Sequence, residues 1–220
     1  MASVDTKERI LDAAEQLVAE QGVVGASVRA IASAADVNLA SINYHFGSKD
    51  SLVQAVLARR VGPVNQERLE LLDELESAAG DGPPSTRGLV EAFVRPALRL
   101  RRMDANKWRI LQRLLGHTIS LPTGETRDLF LQQFSEVVQR FTAAMSRALP
   151  DLSGREIFWR FFFMVGAMVQ TLAMADDMPR FSDDLCGEVD AETTERWLVP
   201  FLTAGLAAPP AGAPMEAGDA

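Results

Sequence analysis

One cysteine (Cys186), two histidines and one tyrosine in 220 residues remove several kinds of chemistry at once. A lone thiol cannot close an intrachain disulfide, which fits a reducing compartment. His45 and His117 are the only histidines, so no His/Cys set with metal-ligand spacing exists. The chain also lacks a Gly-rich phosphate loop and a grouped nucleophile, base and orienting residue, leaving an enzyme reading nothing to assemble. No metal or cofactor is therefore expected. Long apolar runs are missing too, since Phe161–Val169 is far short of the ~20 residues that span a bilayer. The opening Met1-Ala-Ser-Val-Asp-Thr-Lys-Glu has no leader-like apolar stretch, and the expectation is a soluble, cytoplasmic chain without a membrane partner. Positive charge is not in excess either. A formal net charge of −8 excludes broad non-specific coating of nucleic acid or membrane, yet it permits a small DNA-reading surface. Residues 1–60 carry six Lys/Arg against seven Asp/Glu, while the remainder carries sixteen against twenty-three, so the acid lies mainly beyond residue 60.

What is abundant is Ala, Leu, Glu, Arg and Met, the strong helix formers, and alternating strand patterns are scarce. The chain reads as all-α. Ile10, Leu11, Ala14, Leu17 and Val18 share one face of a first helix over 5–21, which Gly22 ends. Ser27 is placed to cap a second short helix with Val28, Ile31, Ala32 and Ala35 inward. Asp36-Val37-Asn38 forms a turn, and Asn38 caps a third helix to about His45. Ser48 caps a fourth from Lys49 to Arg60 or beyond, and Gly62-Pro63 should end or kink it. Ala79–Ser85 is a loop, followed by helices near 86–102, 105–119, 124–148, 154–176 and 191–207. The tail 208–220, rich in Ala, Pro and Gly, is expected to stay disordered. The domain reading is thus 1–60, 61–207 and a tail.

Two short helices joined by a tight turn and braced by a longer one make a helix-turn-helix. Ile31, Ala32, Ala35, Val37, Ile42 and Phe46 supply its packing. The other face of the third helix shows Asn38, Ala40, Ser41, Asn43, Tyr44 and His45, small or hydrogen-bonding groups that suit a major groove. Leu39 could pack inward or touch a thymine methyl. The stretch Ser27–Leu52 (SVRAIASAADVNLASINYHFGSKDSL) resembles the signature of the TetR family of transcriptional regulators over about 10–56. It departs at Asp36, where the family usually has Gly, and at Ser41-Ile42-Asn43, where it usually has Thr-Leu-Tyr. The resemblance implies a DNA-binding head in which Arg29 reaches a base or phosphate and Asn38, Ala40, Ser41 and Asn43 face bases. It further implies that Tyr44, His45 and Lys49 face phosphates and that Ser27 offers its hydroxyl to one. As surface residues these groups would need no DNA at all, and that plain reading stands beside the functional one.

Asn38–Lys49, Leu111–Gly116, Phe158–Ala167 and Leu198–Gly205 together are similar to the PsrA-type, long-chain fatty-acid-responsive members of that family. An effector pocket is expected from Trp108, Leu111, Leu115, Phe130, Phe134, Phe158, Phe162, Met164 and Met168, although ordinary core packing explains each equally well. Arg95, Arg99, Arg101, Arg102, Lys107, Arg109 and Arg113, opposed locally by Asp104 alone, read as a solvated face or as anchors for a carboxylate or an acyl-thioester phosphate. The helices at 154–176 and 191–207 pair large apolar residues with small ones, and the resemblance implies that they form a homodimer. Two such heads on a two-fold axis would read a palindromic operator, released by an apolar effector such as a fatty acid or acyl-CoA. A helical enzyme, an acyl-binding module without DNA binding and a protein-binding scaffold are the alternatives.

Overall fold

The computed structural model describes residues 2–119, 128, 131–187 and 190–211, the side chains of residues 2–4, 105, 115 and 117–119 excepted. Every regular element among them is a helix: α1 (Ala2–Gly25), α2 (Val28–Ala34), α3 (Leu39–Phe46), α4 (Lys49–Ala79), α5 (Thr86–Met103), α6 (Ala105–Ile119), α7 (Ser135–Ala148), α8 (Gly154–Met174), α9 (Met178–Phe181) and α10 (Ala191–Leu206). Two compact units result, residues 1–68 with 99–137, and residues 69–98 with 138–220. This division differs from a boundary near residue 60. In the first unit α6 packs along α1, and Arg113 of α6 donates to the Val18 carbonyl at 3.3 Å.

The first unit is centred on α1. Ile10, Leu11, Ala14 and Val18 are buried on its inner face, together with Ile31 and Ala32 of α2, Ile42 of α3, Leu52 and Val56 of α4, and Ile110 and Leu114 of α6. Gly22 leaves helical geometry at φ 74°, ψ 172°, a conformation open to glycine because it has no Cβ. Below it, α1 and α4 are tied by ions. Arg59 reaches Asp12 at 2.7 Å, Glu8 at 3.4 Å and Glu15 at 3.6 Å, while Arg60 pairs with the buried Glu15. Burial lowers the affinity of the Arg60 guanidinium for its proton, and Asp104 and Asp12 act against that.

Where the sequence led us to expect an end or kink, α4 continues through Pro63. A proline inside a helix forfeits one N–H bond. Here Val61, Val64, Asn65 and Arg68 are all buried around it, and such packing offsets one missing bond. Asn65 also donates to the Gln133 carbonyl at 2.9 Å.

The second unit is built on aromatic packing. Phe93 of α5 meets Phe141 of α7 and Phe161 of α8 edge to face, each at 5.2 Å. Leu72, Leu89, Val90, Met145 and Met164 complete the interior. α8 packs against α10. Charges in α8 are confined to Arg155, Glu156 and Arg160, and an eighteen-residue window of it averages a mean hydropathy of 1.5, long and apolar enough by composition to cross a membrane. Its uninterrupted apolar run is short, but both its faces are apolar. A helix apolar on all sides belongs in a membrane or in the interior of something larger than one core.

The start of the expected loose tail is held. Arg160 donates to the carbonyls of Leu206 at 2.6 Å, Ala208 at 2.5 Å and Pro209 at 2.7 Å. The Ala211 amide donates to Glu156 at 2.9 Å. Residues 212–220, and most of the 120–130 part of the helix expected from 124, lie outside the described residues.

Candidate nucleic-acid interface

Side-chain caps set the geometry of α2 and α3. Ser27 Oγ accepts the Ala30 amide at 3.1 Å, and Asn38 Oδ1 accepts the Ser41 amide at 2.7 Å. Each satisfies a donor that a helix start would otherwise leave open. Between them the Val37 amide donates to the Ala32 carbonyl at 3.0 Å, and Asp36 takes a left-handed φ of 51°. Gly47, at φ 74°, stops α3 and donates to the Asn43 carbonyl at 2.9 Å. Ser48 Oγ then accepts the Ser51 amide at 3.1 Å and starts α4.

Ile42, 1% exposed, anchors α3 inward. Around the opposite side Asn38, Ala40 and Asn43 are exposed, Ser41 and His45 are half-buried, and Tyr44 is 84% exposed. Leu39 is 43% exposed, so it lies with the outward group. Ser27 and Arg29 of the preceding segment are exposed as well. The cap consumes part of this surface: the Ser41 hydroxyl donates to Asn38 Oδ1 at 2.9 Å, while the Asn38 amide nitrogen keeps protons to donate. Tyr44 and His45 stack edge to face at 5.1 Å. A row of small and hydrogen-bonding side chains on a short, capped helix is the arrangement that can enter a major groove.

Two positions make contacts that the sequence did not suggest. Lys49 is half-buried and donates to the Val24 carbonyl at 3.3 Å, bracing the end of α1. Phe46 is half-buried rather than enclosed, and the ammonium of Lys7 lies 5.9 Å from its ring centroid. Sequence reasoning passed over Lys7 because only the fold brings the start of α1 to the end of α3.

The expected effector residues divide between the units. In the first, Trp108 and Leu111 are buried and Phe134 half-buried, and the Trp108 indole N–H has no acceptor among the described residues. In the second, Met164 and Met168 are buried, whereas Phe158 and Phe162 are 48% and 44% exposed. The last two stand on the outward stripe of α8. Phe130 and the Leu115 side chain lie outside the described residues. Three members of the basic cluster face acids, two of them across long stretches of chain. Arg95 pairs with Glu195 at 2.7 Å and Glu91 at 3.3 Å, Arg99 with Glu67, and Lys107 with Asp104 at 2.9 Å. The Glu195 hydrogen bond raises the proton affinity of Arg95.

On the outward stripes of α8 and α10 stand Phe158, Trp159, Phe162, Phe163, Trp197 and Phe201, between 44% and 69% exposed. Phe163 and Phe201 border a groove of about 150 Å³ floored by Met164, Ala167, Leu202 and Gly205.

Residues 10–56 match the model of bacterial regulatory proteins of the tetR family, and residues 91–205 match the tetracyclin repressor-like C-terminal domain. The nicotine-responsive transcriptional repressor HdnoR of Paenarthrobacter nicotinovorans is 40% identical over 58 residues, 26% of this chain and 30% of that protein. The matched stretch spans between 27% and 45% of the length of the curated relatives. The solved structure of AibR with isovaleryl coenzyme A and operator DNA aligns at a TM-score of 0.62 and 19% identity, over 93% of this chain and 99% of that one. FadR from Bacillus subtilis with stearoyl-CoA aligns at 0.61 and 16%, over 90% and 98%. At such identities these likenesses speak for the fold. With both parts of the chain matched, one to the head and the other to the body, the protein belongs to the tetR family of bacterial regulatory proteins.

Proposed function

We propose that the chain is a cytoplasmic repressor that binds a palindromic operator as a homodimer and leaves it when an acyl effector, a fatty acid or its coenzyme A thioester, enters the body. The observation that carries the DNA part is the open side of α3, where Asn38, Ala40 and Asn43 stand exposed beside Tyr44. Base edges are read there by Asn38, Ser41 and Asn43, with Ala40 leaving room for close approach. Ser27, Arg29, Tyr44 and His45 take phosphates, and Lys49 does so with the donors its bond to Val24 leaves over. The six exposed aromatics of α8 and α10 support the dimer, since a contiguous apolar patch on a single chain marks a surface that meets another.

The effector class rests on chemistry and on kinship. Met164 and Met168 of the second unit are buried thioethers of the adaptable kind. Two structures of similar fold hold acyl-CoA molecules. A ligand that favours one body conformation shifts the spacing of two heads by its differential affinity.

The test is a gel shift on duplexes selected by the full chain from a random library, repeated with stearoyl-CoA and with stearate. Binding that both leave unchanged removes the effector part. Failure to select any duplex removes the DNA part. Asn43→Ala should relax base choice, whereas Tyr44→Phe should weaken all sequences about equally.

A further inference from the structure

We propose that Lys7, at the start of α1, is a further contact to the sugar–phosphate backbone of DNA, held in place by the ring of Phe46. The inference rests on the DNA-binding reading above and adds a residue outside the helix-turn-helix segment. A file of side chains connects it to the groove-facing surface. Tyr44 touches His45 edge to face at 5.1 Å, the His45 and Phe46 rings lie 6.3 Å apart, and the Lys7 ammonium sits 5.9 Å from the Phe46 centroid. Lys7 is exposed, and no ion pair to it exists among the described residues. Its nearest acid along the chain, Glu8, lies 3.4 Å from Arg59 of α4, which answers that negative charge.

The charge balance gives this position weight. Residues 1–60 carry only six cations. Arg59 and Arg60 are committed to acids of α1, and Lys49 is turned to the Val24 carbonyl. Lys7, Arg9 and Arg29 are then the exposed cations of the head, and Lys7 is the one fixed against the end of α3. A ring face attracts an ammonium without consuming its N–H donors, so the group is oriented and still able to donate to a phosphate oxygen. Flexible lysines pay an ordering cost on binding DNA, and a ring that holds the side chain beforehand reduces it.

The experiment measures affinity against salt concentration for the full chain, on its selected duplex and on an unrelated random-sequence duplex. Lys7→Gln removes the charge but keeps a polar chain of similar reach, and Lys7→Arg retains the charge. If each protomer loses one phosphate contact, the slope of log affinity against log salt shrinks by ~0.9 per protomer on both duplexes. Lys7→Arg should restore the slope. A Lys7→Gln protein with unchanged slope and affinity overturns the proposal. So does one whose affinity falls with an unchanged slope and a lowered melting temperature, because Lys7 would then only brace Phe46. If the unaltered chain selects no duplex at all, the DNA reading falls first and this contact with it, an outcome distinguishable from the other two.

Discussion

Asp36 occupies the turn between α2 and α3 with φ at +51°, a region where a Cβ crowds the backbone and where Asp and Asn are tolerated better than most residues. Glycine, with no Cβ, takes that φ without crowding. Asp36→Gly relieves the crowding and should be neutral or stabilising by up to ~1 kcal/mol, while Asp36→Val, β-branched at the same φ, should cost ~1–3 kcal/mol. Urea midpoints at unchanged m-value report both. A midpoint for Asp36→Val equal to that of the parent would show that the turn relaxes freely. Caps were the most legible single residues: Ser27, Asn38 and Ser48 announce helix starts because their partners lie three residues away, within one reading window. Lys49 and the basic cluster were less so. Their partners are distant along the chain: Val24 for Lys49, Glu67 for Arg99 and Glu195 for Arg95. No local count of charges could show that Arg95 and Arg99 meet acids so far along the chain.

Helices were legible where periodicity and caps agree, and α2, α3 and α6 follow their expected spans closely. α4 does not end at Pro63 because the cost there is local, while the burial of Val61, Val64, Asn65 and Arg68 around it depends on the rest of the unit. The docking of residues 208–211 was also hidden, since an Ala/Pro/Gly tail carries no signal that Arg160 will collect its carbonyls. That arginine, 11% exposed in its side chain, satisfies the last turn of α10 and joins it to α8. Arg160→Met keeps the stem and removes the donors, and should cost ~2 kcal/mol through unmet carbonyls, read by thermal or urea unfolding. The tether also depends on pH. The Ala211 amide and then Arg160 hold the Glu156 carboxyl below its ordinary value of 4.5, so their contribution is present above that value and is lost as pH falls through the depressed one. The protection of the Ala211 amide, its intrinsic exchange rate divided by the observed one, should therefore fall as the solution is acidified below 4.5. A flat profile there would mean that the carboxylate holds nothing.

For the whole molecule the decisive feature is a surface that one chain leaves uncovered. Phe163 and Phe201, 65% and 69% exposed, contribute little to the fold of their own unit, and exposed substitutions usually alter stability by ~0.5 kcal/mol or less. Phe163→Glu combined with Phe201→Glu should thus leave the melting transition nearly unchanged in a single chain while placing like charges in the proposed interface. Sedimentation should show the altered chain as a monomer at concentrations where the parent is a dimer. Operator affinity should fall by far more than any one base contact explains, because two half-sites joined by one dimer bind ~10²–10⁴-fold better than separate heads. Tryptophan emission offers an independent view. Trp159 and Trp197 are 55% and 56% exposed in one chain, and Trp108 is 6% exposed. Diluting the parent below its dimer constant should shift the emission to the red through the first two, and Trp159→Phe with Trp197→Phe should abolish the shift while Trp108 stays blue. If the doubly charged variant remains a dimer, or dilution leaves the emission unmoved, the chains meet elsewhere and the apolar face of α8 needs another occupant.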